Sequence, residues 1–192
     1  MGTRLGVMGG TFDPIHVGHL VTAEEALHQF SLDQVVFVPT GQPWMKEHDV
    51  VASADDRYRM TELGIEAEPR FRVSRIEVDR GGPTYTIDTL RTLRDDEPGV
   101  ELFFITGADA ILEIMRWRDP EVVFDLAHFI AATRPGYDME PLAAHPDVSV
   151  MRIPALAISS TDIRERVREG SPIRFLVPQQ VESYIRTAGL YR

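Results

Sequence analysis

The 192-residue sequence predicts an α/β fold: a doubly wound parallel sheet with helices on both faces. Three observations predict it. Strand-like and helix-like segments alternate along the chain. Several of the strands are apolar throughout, as strands covered on both faces must be. The polar clusters at 9–19, 40–46, 106–109, 133–136 and 158–164 all follow strands, so they fall on one sheet edge. In such sheets ligands bind beyond the carboxyl ends of the strands.

In chain order, the first strand spans about residues 3–8. The first helix runs from Gly18 to Phe30, with Leu20, Ala23, Ala26, Leu27 and Phe30 at helical spacing. Gln34–Val38 is a buried strand that ends in Pro39-Thr-Gly-Gln-Pro43. Ser53, followed three residues later by Asp56, starts a helix to about Ala67. Phe71–Val78 alternates and reads as a half-buried strand, broken by Arg80-Gly-Gly-Pro83. Thr84 opens a helix to Asp96, and Pro98-Gly99 precedes the strand Glu101–Thr106. Gly107-Ala-Asp109 is a second strand–turn–helix junction, with its helix reaching Met115. Asp119-Pro120 starts a further helix to Leu126, with Pro at the first helical position. Phe129–Ala132 and Val148–Ile153 are strands, Ser159-Ser-Thr161 caps a helix to Arg168, and Pro178 opens the last helix, which stops near Gly189. Right-handed crossovers between parallel strands make this a Rossmann-like arrangement. No repeat, low-complexity tract or long linker divides the chain, so residues 1–192 read as one domain.

Composition narrows the chemistry. A net charge of -10 argues against a nucleic-acid surface. Nineteen arginines and a single lysine, Lys46, make up the basic residues, which singles out that lysine. The absence of cysteine excludes disulfides, thiolate metal sites and a thiol nucleophile, and fits a cytoplasmic protein. No apolar run approaches the ~20 residues of a membrane helix, and no signal-peptide pattern opens the chain. A homo-oligomer is left open.

The most informative stretch is Gly9-Gly-Thr-Phe-Asp-Pro-Ile-His-Val-Gly-His19. Gly9 and Gly10 let the backbone turn tightly and approach a ligand. A glycine turn between a strand and a helix N-terminus is an anion site, because free N–H groups and the helix dipole point the same way. His16 and His19 can both face that turn and donate to phosphate oxygens. A zinc pair lacks its further ligands, and incidental surface histidines are the other ordinary reading. Neither a dinucleotide G-x-G-x-x-G nor a Walker A sequence is present, which weakens a kinase or P-loop reading.

The same stretch resembles the G-G-[TS]-F-D-P-x-H-x-G-H signature of the nucleotidyltransferase superfamily. Ile158-Ser-Ser-Thr-Asp-Ile-Arg164 resembles its second signature, I-S-S-T-x-[IV]-R. Asp79-Arg-Gly-Gly-Pro-Thr-Tyr-Thr-Ile-Asp-Thr-Leu90 is similar to a central segment of the bacterial nicotinate-nucleotide adenylyltransferases. Gly107-Ala-Asp109, Trp117 and Arg134-Pro-Gly136 follow that family's order. Phosphopantetheine adenylyltransferases share the two end motifs but lack the central one. One position departs: where the family often carries Pro-His-Lys, this sequence reads Pro43-Trp-Met-Lys46.

The resemblance implies adenylyl transfer from ATP to nicotinate mononucleotide. The nucleophile is already an anionic phosphate oxygen, so catalysis rests on positioning and charge neutralisation. It implies an ATP site of Gly9, Gly10, Thr11, Phe12, His16, His19, Gly107, Asp109, Arg134, Ser159, Ser160 and Thr161. His19 is implied at the α-phosphate, and Lys46 and Arg164 at the leaving phosphates. Thr86 and Trp117 are implied at the nicotinate end, and Mg²⁺ is expected to arrive with the triphosphate rather than in a protein cage. Several of these residues also have plainer readings: Ser160 as a helix cap, Asp109 as a first-turn carboxylate, Arg134 as a turn residue and Trp117 as core. Tyr85 reads as packing, and Arg57 and Arg80 as surface or ion-pair residues. Rival functions are transfer to nicotinamide mononucleotide or phosphopantetheine, and a nucleotide sensor without chemistry. Loss of His19, Lys46 or Arg164 would mark the sensor, and all three are present.

Overall fold

The computed structural model describes residues 2–43, 51–107, 111, 120–133, 146–154 and 157–192. Its centre is a six-stranded, wholly parallel sheet. Six of the eight strands among the described residues build it: β1 (Arg4–Gly10), β2 (Gln34–Pro39), β4 (Phe71–Val73), β6 (Glu101–Gly107), β7 (His128–Thr133) and β8 (Val148–Arg152), in the order β4-β2-β1-β6-β7-β8. The chain winds outward from β1 to β4, returns to β6 on the other side, and winds outward again. The order therefore reverses between β1 and β6, and the crevice beyond their carboxyl ends is where ligands bind in such folds.

Alternate residues of each strand feed two separate cores. Met8, Val35, Phe37, Phe103, Ile105 and Ile130 lie in one, packed with α1 (Val17–Gln29), α2 (Ala54–Ile65), α5 (Ser160–Arg168) and α6 (Gln179–Ala188). Leu5, Val7, Val36, Val38, Leu102, Phe104, Phe129 and Ala131 lie in the other, under α3 (Thr86–Asp96) and α4 (Pro120–Leu126). This double burial is why the strand sequences are continuously apolar.

Helix boundaries follow local chemistry. Ser53 caps α2, its Oγ accepting from the Asp56 N–H at 3.1 Å. Gly189 ends α6 in the left-handed region at φ 68, where glycine carries no Cβ penalty. Two expectations are corrected. Only Phe71–Val73 of the alternating 71–78 stretch pairs with a neighbour, along β2, before the chain leaves the sheet edge. The helix expected from Thr84 begins at Thr86, because Pro83–Thr84 forms β5, paired in parallel with β3 (Gln42–Pro43) in a second, two-stranded sheet. The expected helix after Gly107 falls outside the described residues, apart from the buried Ile111.

Candidate active site

Beyond β1 the backbone folds around one aromatic ring. A Cβ on Gly10 would stand 2.9 Å from the Phe12 ring, so glycine is required there. Phe12 itself takes a left-handed φ of 50 and is buried against Phe37, with ring centroids 5.8 Å apart. A non-glycine residue pays about 1 kcal/mol or more for that conformation, offset here by burial of the ring. Asp13 follows, also buried. Its carboxylate accepts from the N–H groups of Val51 (2.7 Å) and Ala52 (3.2 Å) and from the Tyr191 hydroxyl (2.6 Å).

His16 and His19 bracket the first turn of α1. Their rings stack at 3.7 Å and 19°. The edge-on contact of Phe12 with His19, at 5.1 Å, closes the group. Nδ1 of His19 accepts from the His16 backbone N–H at 3.2 Å. The hydrogen of a neutral His19 ring therefore sits on Nε2, which becomes a fixed donor. Burial first, and the neighbouring His16 second, hold the His19 pKa well below the ordinary histidine range.

The second signature docks directly onto this turn. Ser160 donates through Oγ to the Pro14 carbonyl at 2.9 Å. Arg164 donates through Nη1 to the Asp13 carbonyl at 2.9 Å, and through Nη2 to Thr161 Oγ1 at 3.3 Å. Consecutive carbonyls of the 13–14 peptides thus tie the N-terminus of α5 to the residues that lead into α1. Two helix N-termini then share one corner, an arrangement suited to a polyanion. The plainer reading of Ser160 as the helix cap does not hold, since the cap is Ser159, whose Oγ accepts from the Asp162 N–H at 3.1 Å.

Gly9 and Gly10 end β1, and Gly107 ends β6 beside it, so they flank the point where the strand order reverses. Thr86 is the first residue of α3 and is half-buried, with Tyr85 partly buried against the α3-side core as expected. Lys46, Asp109, Trp117 and Arg134 lie outside the described residues. Among the described residues no group of three or more His, Asp or Glu could hold a metal ion.

One residue was misread. Arg57, expected at the surface or in an ion pair, is 1% exposed and bonds to main chain instead. It donates to three main-chain carbonyls: Thr11 (2.9 Å, Nη1), Gly41 (2.9 Å, Nη2) and Ala52 (3.3 Å, Nε). Burial pulls its pKa below the usual arginine range, opposed by the nearby Asp13, Tyr191 and Glu77. Its buried counterpart Glu77, also missed, accepts from the Thr89 hydroxyl at 2.7 Å. Burial pushes the Glu77 carboxyl up, opposed first by the Thr89 hydroxyl and then by the nearby Thr84, Arg80 and the Gly41 N–H. Nothing in the periodicity of either segment marks these two positions, because their burial depends on what the loops after β1 and β2 bring to them.

A parallel sheet with two helix N-termini, two histidines and an arginine at its switch point defines a class of nucleotide-binding transferases. The chain matches the cytidylyltransferase-like family over residues 7–166. A protein of Streptomyces coelicolor named "Probable nicotinate-nucleotide adenylyltransferase" is 58% identical over 96% of this chain and 99% of its own length. One of the same name from Saccharopolyspora erythraea is 56% identical over 98% and 90%. The nicotinic acid mononucleotide adenylyltransferase of Plasmodium falciparum, solved with NaAD, superposes with a TM-score of 0.84 over 98% of this chain and 97% of that one, at 21% identity. That likeness shows a shared fold. The chain belongs to the nicotinate-nucleotide adenylyltransferase family.

Proposed function

We propose that this chain transfers the adenylyl group of ATP to nicotinate mononucleotide, yielding nicotinate adenine dinucleotide and pyrophosphate, a step of NAD biosynthesis. The observation that carries the reading is the junction of the two signatures, where Ser160 and Arg164 grip the carbonyls of Pro14 and Asp13. The names and extents of the relatives support the substrate pair.

In this reading a phosphate oxygen of nicotinate mononucleotide attacks the α-phosphorus of ATP. The bond from the α-phosphorus to the bridging oxygen breaks, and pyrophosphate leaves with the electron pair. No proton has to be removed from the nucleophile, so no general base is assigned. His19 offers its Nε2–H to a non-bridging α-phosphate oxygen, with its tautomer already set by the His16 N–H. His16, the N–H groups of the glycine turn, and Ser159, Ser160 and Thr161 complete the phosphate donors, with Thr11 and Phe12 shaping the turn. Arg164 and Lys46 neutralise the leaving phosphates. Gly107, Asp109 and Arg134 take the adenosine end, and Thr86 and Trp117 the nicotinate ring. A divalent cation on the triphosphate would neutralise phosphate charge. The donor set fits one carried by substrate and water: both Asp13 oxygens are occupied by protein donors, and the other described groups of the site, histidines, hydroxyls, N–H groups and Arg164, are suited to phosphate oxygens. Such an enzyme would work in the cytoplasm on soluble nucleotides.

The test is pyrophosphate release from ATP and Mg²⁺ with nicotinate mononucleotide, nicotinamide mononucleotide or phosphopantetheine in separate reactions. Release at least tenfold faster with the nicotinate nucleotide is expected. Equal or faster release with another acceptor overturns the assignment of Thr86 and Trp117, and ATP binding without release with any acceptor favours a sensor.

A further inference from the structure

Two buried groups of opposite charge grip a single peptide segment. Arg57 takes the Gly41 carbonyl at 2.9 Å, and Glu77 faces the Gly41 N–H. There is no room for anything else there, since a Cβ on Gly41 would stand 2.2 Å from the Glu77 carbonyl oxygen. On one side the grip continues into the phosphate turn, because the same guanidinium holds the Thr11 carbonyl at 2.9 Å. On the other side it continues into the segment leading to α3. The Glu77 carboxylate accepts from Thr89, and Thr84 Oγ1 donates to the Gln42 carbonyl at 3.3 Å while β3 pairs with β5. The side chains of Arg57, Glu77, Thr84 and Thr89 are all buried, and charged groups are not buried without cost. Arg57 reaches the main-chain carbonyls of Thr11, Gly41 and Ala52, while Glu77 reaches the Gly41 N–H and the Thr89 hydroxyl at the start of α3.

We infer that Arg57 and Glu77 are positioning residues that clamp Gly41 and thereby hold the Thr84–Thr86 segment in register with the Thr11–His19 phosphate turn. The reaction requires in-line alignment of two substrates bound at these two places, and misalignment of about 1 Å costs on the order of a hundredfold in rate. The inference extends the proposed function by naming what fixes the two half-sites relative to each other.

The experiment uses Glu77→Gln and Thr89→Val, which change polarity at nearly constant volume, with Arg57→Lys as a third variant. Two readouts are taken. The first is turnover per folded molecule with both substrates saturating, beside the Kd of ATP alone. The expected result is a fall in kcat of about tenfold or more for Glu77→Gln, with the ATP Kd changed by less than threefold, because each half-site survives while their alignment does not. The second is amide hydrogen exchange without substrates. Faster exchange in peptides covering 9–16 and 40–43 is expected for Thr89→Val, although the Thr89 hydroxyl bonds to Glu77, Arg80 and Tyr85 and to neither segment. Turnover within twofold of wild type, or exchange changes confined to 77–93, overturns the clamp. If the wild-type protein is inactive with every acceptor, the functional reading fails and the exchange result alone decides the clamp. If Glu77→Gln does not fold, Thr89→Val and Arg57→Lys carry both readouts.

Discussion

At the residue scale, the buried charges of the site are satisfied by main-chain groups and hydroxyls rather than by each other. Arg57 donates to three carbonyls and forms no direct ion pair with Asp13, whose own oxygens face Val51, Ala52 and Tyr191. Arg57→Met should cost about 3–5 kcal/mol in urea unfolding, since it strands three buried carbonyls and removes a cation near Asp13 and Glu77. His19 predicts a pH dependence. Its folded pKa lies below the unfolded value, so the unfolded chain binds the extra proton. The stability in question is intact above pH 6.5 and is lost as the pH falls below it towards the folded pKa. One such group contributes a slope of up to about 1.4 kcal/mol per pH unit. His19→Asn should flatten unfolding free energy across pH 5–6.5 relative to wild type. An unchanged slope would mean that the ring is readily protonated in the folded protein and is not a neutral Nε2–H donor.

At the element scale, α5 is held by two adjacent serines with separate tasks. Ser159 caps the helix, and Ser160 attaches it to Pro14. Ser159→Ala should lower stability by about 1 kcal/mol. Ser160→Ala should cost no more in stability, yet weaken ATP binding further, because it removes one of the two ties that hold α5 to the turn it completes; calorimetric titration with ATP separates the two. This division also shows where the sequence was legible. The motif placed the hydroxyls at a helix start, but one residue of register decides which of them caps, and that depends on backbone angles. The long apolar strands were readable because burial on both faces leaves a continuous signal. β3 and β5 were not, since two residues carry no period and their pairing joins positions 42–43 to 83–84. The 71–78 alternation promised a longer strand, yet β4 lies at the sheet edge and pairs on one side only, through residues 71–73.

At the scale of the whole molecule, the site is closed by contacts between residues far apart in the chain. Tyr191 reaches Asp13 across 178 positions, and Arg164 reaches it across 151. Sequence reading found Arg164 through its motif, whereas Tyr191 follows the last helix in a segment with no chemical signature, and only the packing of α6 on α2 brings it back. The Tyr191 hydroxyl is buried, and burial together with Asp13 raises its pKa well above the tyrosine range, so it stays a donor across the working pH range. Two variants divide its contribution. Tyr191→Phe keeps the ring in the core and removes one donor from Asp13, at a cost of about 1–3 kcal/mol. A chain ending at Gly189 also removes Leu190 and the aromatic ring, and should lose more stability by the ~3–5 kcal/mol typical of a large-to-small core change. Both should weaken ATP binding, since Asp13 carries the carbonyl that Arg164 grips and the carboxylate that holds Val51 and Ala52. ATP affinity unchanged in Tyr191→Phe, measured on folded protein, would show that the other two donors suffice to hold Asp13, and would confine the role of residue 191 to packing.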